Sequence, residues 1–276
     1  MGAMARYGLG AAAGRLAPQA TWPMGTFAVN LIGGLLIVWQ LAVVAFGIRP
    51  FILPSPVAIY EAFLQYRGPI MDHALFTLMN TMIGFALGIV IGGLLGIIIG
   101  SFRLAYAGLY PLLVGINSIP KAAVVPILVV WMGIGQPPAI TTAFLLSFFP
   151  IAVNVATGLA TVEPEMEDVL RSLGATPLDI LRKVGLPRTM PYFFASLKVA
   201  ITLAFVGSVI SETIASNDGI GYLMIQSASQ FRVPLMFAGV FVIAAMGIAT
   251  YVIFALLERR FTHWATRRDQ QQFGGG

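Results

Sequence analysis

Long charge-free stretches alternate with short polar ones along the chain. Positions 26–48 form the first stretch and 74–102 the second. The third, 104–133, is interrupted by Pro111, Pro120, Lys121 and Pro126. A Gly-Ile-Gly-Gln-Pro-Pro turn at 133–138 leads into the fourth, 139–162. The fifth, 189–215, holds only Lys198 and Glu212 as charges, and the sixth is 233–257. Each exceeds the roughly 20 residues a helix needs to cross a bilayer. None alternates apolar and polar positions as a barrel strand does. The pattern predicts an all-α, polytopic membrane protein with six transmembrane helices. Two shorter pieces, 54–66 and 216–231, read as short helices lying at the outer interface.

Composition agrees. Hydrophobic residues make up 58% of the 276 and charged ones 10%, with a mean hydropathy of +0.88. A soluble domain runs at about 45–50% and about 25%, and one this apolar would associate in water. With no cysteine, disulfides, thiolate zinc sites and cysteine nucleophiles are excluded. His73 and His263 are 190 positions apart and form no metal-ligand spacing. The net charge of +5 carries information through its placement. Eleven of the 16 basic residues fall in the connections on one side: Arg6, Arg15, Arg103, Arg171, Arg182, Lys183, Arg188, Arg259, Arg260, Arg267 and Arg268. Three, Arg49, Arg67 and Arg232, fall on the other. By the positive-inside rule both termini are cytoplasmic.

Several features stand out within this frame. Gly84, Gly88, Gly92, Gly96 and Gly100 recur every four residues, which aligns them on one helix face where a neighbouring backbone can approach. The stripe fits packing within one subunit, or a surface that slides or meets a second subunit. Lys198 and Glu212 lie about 21 Å apart along one helix and cannot pair with each other. Each must face protein, water or a partner, and Lys198 can snorkel to the inner surface. Lys121 sits where the third stretch breaks, which suggests an unwound segment beside a cavity. These three are the candidate residues of a translocation path.

The polar segment 163–191 is different in kind. It reads as two short helices, 164–173 and 177–184, separated by a bend at 174–177. Acids occupy the opening turn of the first, as the helix dipole favours. Thr176 is a plausible N-cap of the second, with Pro177 at its first position. The bend projects Leu173, Gly174 and Ala175 outward, and such a knob on the inner face suggests docking to another protein.

This segment resembles the cytoplasmic loop of ATP-binding-cassette importer permeases. That family pattern is Glu-Ala-Ala, three residues, Gly, nine residues, Ile, one residue, Leu-Pro. Here it reads Asp168-Val169-Leu170, three residues, Gly174, nine residues, Val184, Gly185, Leu186-Pro187. Glu167 or Asp168 supplies the acidic position. Trp39, Leu53-Pro54-Ser55-Pro56, Pro120-Lys121-Ala122-Ala123, Pro126, Trp131-Met132-Gly133-Ile134-Gly135 and Glu212 with Gly219-Ile220-Gly221-Tyr222 are similar to the nitrate, taurine and aliphatic-sulfonate branch. The resemblance covers 36–268 as a permease domain with a type I importer fold. It implies a permease subunit that forms the translocation path and is coupled through 163–188 to two ATP-binding subunits. Glu167, Asp168, Leu173, Gly174, Ala175, Thr176, Pro177, Leu186 and Pro187 would make that coupling contact. ATP and Mg would sit on the partner chains, with no cofactor on this one. A second permease copy, commonly making a homodimer, and a periplasmic or lipid-anchored binding protein complete the assembly in a bacterial inner membrane. The substrate class implied is a small anion or a small heterocyclic metabolite.

Residues 1–34 are similar to the start of small fluoride-channel proteins, through Gly2-Ala3-Met4-Ala5-Arg6-Tyr7, Trp22-Pro23-Met24-Gly25-Thr26 and Val29-Asn30-Leu31-Ile32-Gly33. An ATP-independent anion channel is therefore the alternative, although the rest of that pattern is absent. The expected organisation is an N-terminal extension over 1–35, the permease domain, and a flexible tail over 269–276. No G-x-x-x-x-G-K-[ST], G-x-S-x-G or H-E-x-x-H occurs and no catalytic cluster is visible. A transporter subunit is expected, not an enzyme, with no metal site and no nucleic-acid partner.

Overall fold

The computed structural model describes residues 24–262. Two compact units divide between residues 58 and 59. The first holds α1 (Met24–Ala45) and the start of α2 (Pro56–Gln65). The second continues with α3 (Arg67–Ser101), α4 (Arg103–Asn117), α5 (Lys121–Met132) and α6 (Gln136–Ala160). Then come α7 (Pro164–Ser172), α8 (Pro177–Ile180), a wide π turn (Leu181–Gly185), α9 (Leu186–Ala215), α10 (Ile220–Ser229) and α11 (Val233–Phe261). Among the described residues all regular structure is helical. The fluoride-channel-like start before Met24 and the tail at 269–276 lie outside them.

Among the described residues four helices are long and apolar enough to cross a membrane: α3, α6, the continuous run Pro177–Ala215 that ends in α9, and α11. Together α4 and α5 qualify as a fifth, bent by 85°. In α1, 22 residues long, the apolar stretch Asn30–Ala45 is a shorter helix of the same character.

Lipid is as apolar as a leucine side chain, so burying apolar surface between membrane helices gains little. Close backbone approach has to supply the attraction. The second unit is built on that principle around α6. One face of α6 receives the glycine stripe of α3. A Cβ on Gly84 would stand 2.6 Å from the Ile140 carbonyl oxygen, and one on Gly92 2.6 Å from that of Phe148. At Gly96 and Gly100 the carbonyls of Ala152 and Ala156 are 2.7 and 2.8 Å away. At Gly88 the Ser147 hydroxyl is 2.5 Å away. The other face of α6 meets α9, where Gly207 lies against the Thr142 carbonyl at 2.7 Å by the same measure. Phe85, Ile151, Val155, Leu197, Ile201 and Phe205 fill the space between the three helices.

Three local expectations need revision. The second loop helix does not stop at 184. Its chain passes through the π turn and on into α9 without a break. Pro187 cannot donate to the Lys183 carbonyl, and the widened turn accommodates that loss where a stop would be expected. Pro111 and Pro126 do not break the third stretch either; each lies inside a helix, α4 and α5 respectively. The break is confined to 118–120, where Ser118 and Ile119 make tight i→i−3 bonds and Pro120 offers no amide. Finally, α3 begins seven residues before the second charge-free stretch and so takes in Asp72 and His73.

Candidate functional site

The 163–188 segment is an ordered knob. Glu165 and Glu167 lie in the first turn of α7, and Arg171 in its last bonds Glu167 at 2.9 Å and approaches Asp168 at 3.7 Å. The helix ends on Gly174, whose φ of +83° is the left-handed region that favours glycine. Gly174 N–H donates to the Arg171 carbonyl and Ala175 N–H to that of Leu170, which closes the C-terminus in a Schellman turn. The turn leaves Leu173 77% exposed at the tip. Thr176 then caps α8 through a reciprocal box: its hydroxyl accepts from Asp179 N–H at 3.2 Å, and the Asp179 carboxylate accepts from Thr176 N–H at 3.2 Å. Lys183 lies 3.4 Å from the Asp179 carboxylate, and Arg188 lies 3.9 Å from that of Glu163. Leu186 and Pro187 open α9, beyond the tip. Beside the knob is a cavity of about 800 Å³ whose wall includes Ser101, Arg103, Tyr106, Glu167, Asp168 and Arg171.

The bend between α4 and α5 forms a second candidate. Asn117, Ser118, Ile119 and Pro120 are all exposed there. The Lys121 ammonium donates to the Asn117 carbonyl oxygen at 2.5 Å and to its side-chain oxygen, and stands 5.9 Å from the centre of the Phe149 ring. No carboxylate among the described residues reaches it within ion-pair distance. Unwound backbone inside a membrane persists only where protein covers it or water reaches it.

Lys198 and Glu212, grouped with Lys121 by sequence, have different surroundings. Lys198 donates to Glu258 of α11 at 2.5 Å, and the two side chains are 21% and 24% exposed. The pair joins α9 to α11. Lys198→Met alone strands Glu258 and is expected to cost about 1–3 kcal/mol, below the figure for a fully enclosed pair because both side chains are partly exposed. Adding Glu258→Met should recover most of that loss. Thermal unfolding of the two single variants and the double variant in detergent reads this coupling directly.

Glu212 is 1% exposed and enclosed by α3, α9 and α10. Its carboxylate accepts from the Thr77 hydroxyl at 2.8 Å, from Gly221 N–H at 3.2 Å and from the Asn80 amide at 3.5 Å. Donors, not a cation, balance it. Sequence reasoning missed Thr77, Asn80 and His73. The available signal was their spacing of four and three residues on one face of α3, in line with Gly84. Arg103 and Tyr106 of the cavity wall, and Glu258, were missed as well.

Residues 88–263 match the family described as the binding-protein-dependent transport system inner membrane component. The chain is 31% identical to the formylaminopyrimidine transport permease protein ThiX of Halalkalibacterium halodurans, over 85% of this chain and 94% of that one. It is 30% identical to the putative aliphatic sulfonates transport permease protein SsuC of Escherichia coli, over 84% and 89%. Among solved structures, an inward-facing conformation of the MetNI methionine ABC transporter superposes with a TM-score of 0.63, over 71% of this chain and 98% of that one, at 20% identity. That likeness concerns the fold.

Proposed function

Because the chain belongs to the family of binding-protein-dependent transport system inner membrane components, we propose that its folded knob at 163–188 couples a translocation path in this subunit to ATP hydrolysis on separate chains. The protein is a multi-pass membrane permease subunit. Permease subunits of this kind are not themselves enzymes. The observation that carries the coupling role is the knob's construction. A Schellman turn and a capping box hold an exposed leucine at the tip, and the chain beyond it runs on as one helix into the membrane. A connection serving only as a tether would have no need of two capping devices.

The finer reading has six crossings with both termini in the cytoplasm of a bacterium, α1 supplying the first, within the inner membrane. Two ATP-binding subunits, carrying ATP and Mg, dock on the knobs of two permease copies. A periplasmic or lipid-anchored binding protein delivers substrate on the opposite side. The acidic positions Glu167 and Asp168 and the tip from Leu173 to Pro177 make the contact with the ATPase. ATP-driven closure then favours one of two packings of the spans. The path runs past the α4–α5 bend, where Lys121 is a cation with neutral partners only. A small anion is one suitable cargo, in keeping with the sulfonate relative, and a small heterocycle is the other, in keeping with the formylaminopyrimidine relative.

Reconstitution tests this reading. Proteoliposomes holding the chain with its ATPase subunits and binding protein are expected to accumulate substrate only when ATP is supplied. Liposomes holding the chain alone should pass no fluoride. Fluoride flux through the chain alone, without ATP, establishes the channel instead. Because the chain has no cysteine, Ser118→Cys gives a single reporter at the bend. It should react with a water-soluble maleimide, and a wholly lipid-facing bend would leave it unlabelled.

A further inference from the structure

The first amides of a helix have no acceptors within it, and a single local side chain usually caps them. At the start of α10 three successive amides are capped, by side chains of two other helices. Gly219 N–H donates to His73 Nδ1 at 3.0 Å, Ile220 N–H to the Thr77 hydroxyl at 2.8 Å, and Gly221 N–H to a Glu212 carboxylate oxygen at 3.2 Å. His73 and Thr77 belong to α3, and Glu212 to α9.

The caps are linked to one another. The Thr77 hydroxyl accepts from Ile220 while donating to Glu212 at 2.8 Å, so one oxygen ties α3, α9 and α10 together. Gly219 has φ +98°, and a Cβ there would stand 2.3 Å from the Glu212 carboxyl carbon. The turn and the carboxylate are therefore in direct contact, and no other residue fits. The His73 ring also meets the Tyr222 ring at 5.9 Å. Thr77 and Ile220 are fully buried. A carboxylate enclosed at this depth is expensive, and here its donors come from the elements it joins. At its far end α10 turns into α11 through Phe231, a non-glycine residue at φ +58°.

We propose that His73, Thr77 and Glu212 are positioning residues that dock α10 onto α3 and α9, so that this helix travels with the α3–α6–α9 bundle when the path switches sides. The consequence for transport rests on the permease reading; the docking itself does not, and it can be measured without transport or a known membrane orientation. In nanodiscs both faces are accessible. Ser227→Cys places a thiol on the buried side of α10, and Ser196→Cys places one equally buried in α9. In the Ser227→Cys protein, Thr77→Val and Glu212→Ala are each expected to raise the rate of labelling by N-ethylmaleimide about tenfold or more, the factor set by losing a buried hydrogen bond. Thr77→Ser, which keeps the hydroxyl, should label at the parent rate. Position 196 should stay protected in every background. Labelling at 227 that stays within about twofold of the parent in both removal variants overturns the proposal. So does equal exposure of 196 and 227, which would mean general unfolding, and so does Thr77→Ser behaving as Thr77→Val. Absence of ATP-driven uptake in the unmutated protein, reconstituted with its ATPase subunits and binding protein and with position 227 protected, would count against the permease reading and leave the docking standing.

Discussion

Gly92→Leu is expected to remove the folded protein from the membrane almost completely. The Cβ alone would stand 2.6 Å from the Phe148 carbonyl oxygen and 3.3 Å from the Ile151 Cβ. The near atom is helix backbone and cannot swing aside as a side-chain end can. To admit the leucine, α3 and α6 must separate along the whole stripe, because the glycines on either side are equally tight. The cost is at least about 3 kcal/mol, the upper range for overpacking, and the separated helices also lose the close contact that replaces hydrophobic drive in lipid. Gly93→Leu is the control: it is the next residue, and nothing lies within 4 Å of its Cβ position. Detergent-extracted yield and monodispersity should collapse for the first variant and hold for the second. Equal yields would mean that the stripe is not a structural seam.

Gly174→Val is expected to do the reverse, leaving the membrane protein intact and stopping its work. No atom lies within 4 Å of a Cβ at Gly174, so steric overlap is not the difficulty. The backbone is, because φ is +83°. An L residue there costs about 1–2 kcal/mol and a β-branched one more. The local escape is to abandon the Schellman turn, which frees the Arg171 and Leu170 carbonyls and re-aims Leu173. Insertion should be normal, since no membrane-spanning helix is touched. Uptake driven by ATP should fall by about tenfold or more, the factor corresponding to that strain, and copurification of the ATP-binding subunits should weaken in parallel. Gly174→Asn, which tolerates a left-handed backbone better, should retain more of both. A Val variant that transports normally would remove the coupling role from the knob.

The features readable in the sequence were those with a local cause. Thr176 could be picked as a cap because Pro177 follows it at the first helical position. The five glycines could be placed on one face because their period is four. The short helices Pro56–Gln65 and Ile220–Ser229 fall within the 54–66 and 216–231 stretches marked by the turn residues that open them. The partners of the buried charges were hidden for the opposite reason. Glu258 lies 60 residues from Lys198, and Thr77 lies 135 from Glu212; such pairings are decided only when helices assemble. Prolines misled in both directions. Pro111 and Pro126 look like breaks, yet neighbouring helices and water can satisfy the carbonyls they free. Gly185-Leu186-Pro187 looks like a stop, yet a turn one residue wider absorbs it. Lys121 was correctly placed at a break, but its neutral company of Asn117 and Phe149 could not be foreseen.

The continuity of Pro177–Ala215 has a mechanical meaning. Thirty-nine residues of nearly unbroken helix span about 58 Å at 1.5 Å per residue, more than the hydrocarbon thickness of a bilayer. The run therefore joins the knob to the opposite side of the bundle without an intervening loop. Its backbone ladder is loosened near the knob, by the π turn at Leu181–Gly185 and by Pro191 just beyond it. On the coupling reading proposed above, displacement of the knob would pass along this helix to the far side of the bundle, with the widened turn as the flexible point nearest the knob.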